Sequence, residues 1–79
     1  MRLNNLIDLM LNDTVVSLNL TYRDEENILT RHSAVRKVKD VRKLFKEDKL
    51  PISEFTVTCV SPIVEKALIM IEIIARRWH

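Results

Sequence analysis

Apolar and polar residues alternate almost without interruption between Thr14 and Tyr22. One set of alternate positions is apolar or aromatic: Val16, Leu18, Leu20 and Tyr22. The intervening set is small and polar: Ser17, Asn19 and Thr21. Because successive side chains of a strand point to opposite faces, this pattern predicts a strand with one face buried. A charged turn at 23–27 and a returning strand at 28–32 extend the prediction to a β-hairpin.

The first eleven residues follow a helical spacing instead, with apolar positions three and four apart. These positions would line one face of a short helix: Leu3, Leu6, Ile7, Met10 and Leu11. Asn12 and Asp13 tolerate turn conformations, so we expect the helix to end there.

Residues 34–49 show the same spacing, which predicts an amphipathic helix. Its apolar face would consist of Val35, Val38, Val41 (or Arg42), Leu44 and Phe45. Ser33 is a candidate N-cap for this helix. Pro51 lies just beyond its end and discourages its continuation.

Two further segments are predicted near the C-terminus. Residues 54–60 alternate again, with Phe55, Val57 and Cys59 on one face, so Cys59 is expected to be a small core residue. Residues 67–75 are apolar on both faces, as in a central strand.

A helix beginning at Ser61 and Pro62 also fits the last segment. We prefer the strand, because a helix would expose Ile69 and Ile73, whereas a central strand would bury both.

The elements predict an α+β fold: a small antiparallel or mixed sheet of three to four strands with two helices packed on one face. The 79 residues form a single domain, 1–79. A chain of this length buries only about 60% of its unfolded surface. We therefore expect it to form a homodimer, which would cover apolar surface that a monomer leaves exposed.

The charge is small overall but unevenly distributed. The net charge is +2, which argues against an acidic surface that imitates DNA. Seven of the thirteen basic residues fall in one short stretch: Arg36, Lys37, Lys39, Arg42, Lys43, Lys46 and Lys49. On a helix, a basic stripe would lie opposite the apolar face, formed by Arg36, Lys39, Lys43 and Lys46. The candidate partner-binding site consists of this stripe and Arg42. The alternatives are a solvated helix face, a site for an acidic protein and a site for nucleic acid.

Several classes of chemistry are excluded or have no motif. The chain lacks glycine, which excludes a phosphate-binding loop, a dinucleotide-binding turn and a nucleophile elbow. His32, His79 and Cys59 show no zinc-ligand spacing, and the acidic residues at 24–26 fit a solvated turn. We predict no catalytic residue, cofactor or metal site. Trp78 is expected to cap the core, with a partner anchor as the alternative.

No signal peptide or membrane span is recognisable, and the single cysteine excludes an internal disulfide. We expect a cytoplasmic protein that does not bind membranes.

Three stretches carry a family resemblance. The first is Leu3-x-x-Leu6-Ile7-x-x-Met10 followed by Asn12-Asp13-Thr14-Val15, and the second is Val41-Arg42-Lys43-Leu44-Phe45. The third is Val57-x-x-Val60-Ser61-Pro62, which leads to Leu68-x-x-Ile71-Glu72-Ile73. Together they resemble small accessory proteins of phages and prophages of Gram-positive bacteria. The start of the chain is also similar to a type II CRISPR inhibitor. That inhibitor class is acidic and mimics DNA, so its blocking mode does not carry over.

The resemblance implies a non-enzymatic protein-binding module that blocks or modulates a host factor, such as a CRISPR or other defence effector. The alternative is a small nucleic-acid-binding protein that uses the basic helix at 34–49.

Overall fold

The computed structural model describes residues 1–65 and 68–77. Within these residues, two helices and four strands follow one another, with a single 3-10 turn at Ile52–Glu54. The elements are α1 (Leu3–Leu9), β1 (Val15–Arg23), β2 (Leu29–Lys37), α2 (Val38–Glu47), β3 (Thr56–Glu65) and β4 (Leu68–Arg76). The predicted α+β class and the order of its elements are confirmed. Neither helix has the length and apolar character needed to span a bilayer.

The strands form one mixed sheet in the order β2-β1-β4-β3. β2 is antiparallel to β1, and β3 is antiparallel to β4. β1 and β4 run parallel, with Val16 opposite Ile71 at one end and Thr21 opposite Arg76 at the other. The prediction of a central strand over 67–75 is confirmed for its described residues, and the helical alternative is wrong.

The core lies between the two helices and one face of the sheet. Its members are Leu3 and Ile7 of α1, Val16, Leu18 and Leu20 of β1, Val38, Val41, Leu44 and Phe45 of α2, Phe55, and Ile73 and Ala75 of β4. The Phe55 ring meets Phe45 edge-on at 5.4 Å and Tyr22 at 5.9 Å between ring centres. This aromatic group joins α2 to β1 and to the start of β3. The predicted faces of the first strand are confirmed.

The first helix is shorter than predicted. It spans Leu3–Leu9, and Leu3 and Ile7 face the core as expected. Leu11 was assigned to the same face, but it lies beyond the end of the helix and is exposed. The expected turn at Asn12 and Asp13 is present.

The second helix begins at Val38, so the prediction of a helix from residue 34 is wrong at its start. Residues 34–37 continue β2 and pair with β1. Val35 therefore leaves the predicted apolar helix face and is 51% exposed on the sheet, opposite Ser17. The pairing with β1 gives these residues backbone partners that the local helical spacing could not reveal.

Ser33 was predicted to cap this helix, and that prediction is also wrong. It lies within β2, where its hydroxyl donates to Oδ1 of Asn19 at 2.9 Å. Lys37 precedes the helix and makes no side-chain cap hydrogen bond.

Cys59 is exposed, so the prediction that it is a buried core residue is also wrong. The register of β3 shifts between Val57, opposite Ala75, and Cys59, opposite Ile74. A bulge of this kind adds a residue and turns the following side chains to the other face. Cys59 therefore lies on the opposite face of the sheet from Val57, which packs against the core.

The prediction that a central strand would bury both Ile69 and Ile73 is wrong for Ile69. Ile73 is fully buried, but Ile69 is 65% exposed. Pairing with β1 begins only at Ile71, so residues 68–70 of β4 and their partners 63–65 of β3 extend past β1. We call these two segments the β3–β4 arm.

The difference in burial predicts how far a valine-to-alanine substitution lowers the free energy of unfolding at one position on each of two strands. Val16→Ala removes two methyl groups from a fully buried site and should lower the free energy of unfolding by about 2 kcal/mol. Val64→Ala, on the arm at 71% exposure, should change it by no more than about 0.5 kcal/mol. Urea denaturation of both variants checks this, and equal losses would contradict the burial described here.

Candidate protein-binding surface

The five cations of the predicted partner-binding site lie on two different elements. Lys39, Arg42, Lys43 and Lys46 belong to α2, but Arg36 belongs to β2. Because the apolar residues of α2 face the core, Lys39, Lys43 and Lys46 share its outer side. The structure thus brings three of the predicted site residues together and separates Arg36 from them.

Arg42 connects the two helices. Its guanidinium forms an ion pair with Asp8 of α1 and lies 3.5 Å from the carbonyl oxygen of Asn4. Both members of the pair are about half exposed or more. Arg42 therefore has a structural partner within the chain.

Two of the remaining cations on α2 also lie near carboxylates. Nζ of Lys39 is 3.7 Å from Asp13, and Nζ of Lys43 is 4.0 Å from Glu47. Lys46 makes no ion pair within residues 1–65 and 68–77. Exposed pairs of this kind are weak and are screened by salt, so these cations can exchange partners.

The partner-binding site predicted from the sequence did not include two cations, Arg31 and Lys37. Both are exposed on β2, on the sheet face that carries no helix, together with Ser33 and Val35. All the charged residues of β2 are basic, and the strand contains no Asp or Glu. Residues 31–37 do not alternate between apolar and polar, so only the pairing with β1 shows that Arg31 and Lys37 share a face.

Sequence reasoning also missed exposed apolar side chains on β3 and β4. Val60, Val64 and Ile69 are 49%, 71% and 65% exposed. Val64 lies opposite Ile69 in the register, and Val60 lies opposite Ile73. Val60 and Val64 are four residues apart on one strand and therefore share a face. The result is an apolar surface that continues from the core onto the β3–β4 arm.

The acidic turn has a structural role. The Asp24 carboxylate accepts hydrogen bonds from the backbone N–H groups of Glu26 and Ile28, each at 2.9 Å. Asn27 closes the turn in the left-handed region, at φ 63°. The turn borders a depression of about 460 Å³ that is also lined by Lys49 and Arg77.

No group of three potential metal ligands is present in the described part of the chain. His32 lies 3.6 Å from Asp48 of the segment that ends α2. Trp78 and His79 lie outside the described residues. The prediction that Trp78 caps the core therefore concerns a residue that the structure does not describe.

Comparison of the chain with protein-family models, curated proteins and solved structures finds no match. The resemblance to phage accessory proteins therefore stays a prediction from the sequence.

The Asp8–Arg42 pair predicts a small coupling between the two helices. In a double-mutant cycle to alanine, the coupling free energy should be below about 1 kcal/mol, because both side chains reach solvent. It should shrink further in molar salt. The same cycle on Lys43 and Glu47 serves as a reference within one helix. A coupling above about 2 kcal/mol that resists salt would contradict this exposed geometry.

Proposed function

We propose that this protein is a non-enzymatic, cytoplasmic protein-binding module that blocks or modulates a host factor. The observation that carries the proposal is the exposed apolar surface formed by Val60, Val64 and Ile69. A contiguous apolar surface of this kind is costly in water and is typical of protein–protein contact sites. The centre of such an interface is depleted in charge and rich in apolar side chains.

The distribution of charge favours a protein partner over nucleic acid. The alternative function requires a row of cations on one helix to follow a phosphate backbone. Arg36 lies on β2 instead, and Lys39, Arg42 and Lys43 each lie near a carboxylate of the chain. Cations interspersed with carboxylates suit the polar rim of a protein interface, where they steer association and set orientation.

The type of host factor follows from the resemblance to phage accessory proteins. Such proteins often bind and block a host protein, including a defence nuclease. Under this proposal the apolar surface supplies most of the contact, and the cations of α2 and β2 favour an acidic partner.

Capture from a host-cell lysate tests the proposal with matched variants. Val64→Lys with Ile69→Lys places two charges in the apolar surface. Asn5→Lys with Ser53→Lys adds the same charge at exposed polar sites. We expect a specific protein to bind the wild type and the control pair but not the first pair, while all three proteins retain their far-UV circular dichroism.

Two results would contradict the proposal. Equal capture by both variants would show that the apolar surface is not used. Capture of nuclease-sensitive material, with affinity falling steeply between low and moderate salt, would favour the nucleic-acid alternative.

The same surface predicts self-association. At micromolar concentration, sedimentation should show a species larger than the 9.3 kDa monomer, because a second copy can cover Val64 and Ile69. Val64→Lys with Ile69→Lys should restore the monomer through charge repulsion. A wild-type protein that sediments as a monomer at every concentration tested would contradict this prediction.

A further inference from the structure

The two edge strands of the sheet, β2 and β3, differ in how well they are protected from pairing with another chain. The outer side of β3 is partly covered near its start, where the N–H of Leu3 donates to Phe55 at 2.9 Å and the N–H of Val57 donates to Met1 at 2.8 Å. The register shift after Val57 and Pro62 follow along the same strand. A covering segment, a bulge and a proline each prevent another chain from pairing with an edge strand.

β2 lacks all three of these devices. Its nine residues pair with β1 in unbroken register, from Leu29 opposite Arg23 to Lys37 opposite Val15, and none is proline. Among the described residues, β2 makes no backbone hydrogen bond to any segment except β1. Its outer N–H and C=O groups therefore form a regular edge of the kind that another strand can join.

The side chains of β2 determine which strand could join it. Arg31 and Lys37 lie on the sheet face without helices, and Arg36 lies on the other face, so an added strand would meet cations on both sides. Arg31 and Lys37 form no ion pair within the described residues, and the guanidinium of Arg36 donates to the neighbouring carbonyl of Val35 at 2.8 Å. Charges opposite one another on adjacent strands attract or repel directly.

Carboxylates near β2 come from α2, from the residue that follows it and from the turn at 24–26 that leads into the strand. Asp48 lies 3.6 Å from His32, and Glu47 lies 4.0 Å from Lys43. Both therefore already contact a basic side chain. Asp40, in the first turn of α2, is the remaining acidic residue on this element. In the turn, the Asp24 carboxylate accepts hydrogen bonds from the N–H groups of Glu26 and Ile28, and within β2 itself every charged side chain is basic.

We propose that β2 is the docking site for an extended acidic segment of the partner protein, which joins the sheet as an additional strand. The inference rests on the proposed protein-binding function and names the partner's chemistry. Main-chain hydrogen bonds along β2 hold the segment, and carboxylates opposite Arg31, Arg36 and Lys37 select it.

A second copy of this chain is a poor occupant of the edge. Pairing β2 with β2 would bring two sets of three cations onto one ladder, where like charges are destabilising. Nucleic acid is also a poor occupant, because it cannot pair with a strand edge and β2 contains no Phe, Tyr or Trp for base stacking.

A designed nine-residue peptide serves as the probe. It carries glutamate opposite Arg31, Arg36 and Lys37, valine opposite Val35 and threonine elsewhere, in antiparallel register with β2. On binding to the isotope-labelled full chain, we expect amide signals of residues 29–37 to shift and their hydrogen exchange to slow. Shifts confined to α2 would overturn the proposal.

Two backbone-modified peptides test for strand pairing. One is N-methylated at its odd positions and the other at its even positions, with the side chains unchanged. In a strand, alternate N–H groups point to the same neighbour, so one methylated peptide should lose affinity by at least about tenfold while the other keeps it. Equal affinities of the two peptides would overturn the proposal, because attraction between charges alone does not depend on this alternation.

Paired charge reversals test the selection. Arg31→Glu with Lys37→Glu should weaken binding of the glutamate peptide and favour a lysine version of it. Lys43→Glu with Lys46→Glu makes the same change in net charge on α2 and should have a smaller effect. Equal losses in the two variants, or tighter binding of a nine-nucleotide single strand than of the peptide, would overturn the proposal.

The captured host protein separates this inference from the proposed function. If that protein binds the wild type and the Arg31→Glu, Lys37→Glu variant equally, the docking inference fails while the protein-binding function stands. If no protein is captured, the proposed function itself fails.

Discussion

The parallel pairing of β1 with β4 is the contact on which the rest of the fold depends. Each antiparallel pair, β1 with β2 and β3 with β4, is a two-stranded unit that would be marginally stable alone. The parallel contact joins them and places Leu18 beside Ile73 and Leu20 beside Ala75, all of them buried. A parallel pair needs a long crossover. Here α2 lies within that crossover and covers the core at the same time.

The same contact produces both of the surfaces that we propose as binding sites. Since β1 begins at Val15 and β4 begins at Leu68, the start of β4 extends past its neighbour and leaves Ile69 exposed. Since β1 and β4 occupy the centre, β2 and β3 become the two edges. The N-terminal segment that leads into α1 covers part of one edge only. An apolar surface and a cationic edge thus arise on opposite sides of one small sheet.

The sequence correctly predicted the strands in which the pattern of apolar residues matches the pattern of buried faces. β1 has one buried face, so its alternation is regular, and β4 is central, so its residues are apolar on both faces. The prediction failed where a distant strand decides the conformation. Val35 and Val38 satisfy the helical spacing, but Val35 also fits a strand, and only the partner β1 selects between the two. The bulge that exposes Cys59 likewise depends on the register with β4.

The candidate site was harder to predict than the fold. Basic residues that are neighbours in the sequence lie on different elements and have different charged neighbours in the structure. The stretch from Arg36 to Lys49 looks like a single basic surface, yet it crosses the boundary at Val38 between a strand and a helix. On the helix, carboxylates from α1, from the turn at Asp13 and from α2 itself lie near the cations. β2 itself supplies no carboxylate, and Arg31, Arg36 and Lys37 form no ion pair among the described residues. The number of cations is a property of the sequence, but which of them are neutralised depends on tertiary contacts.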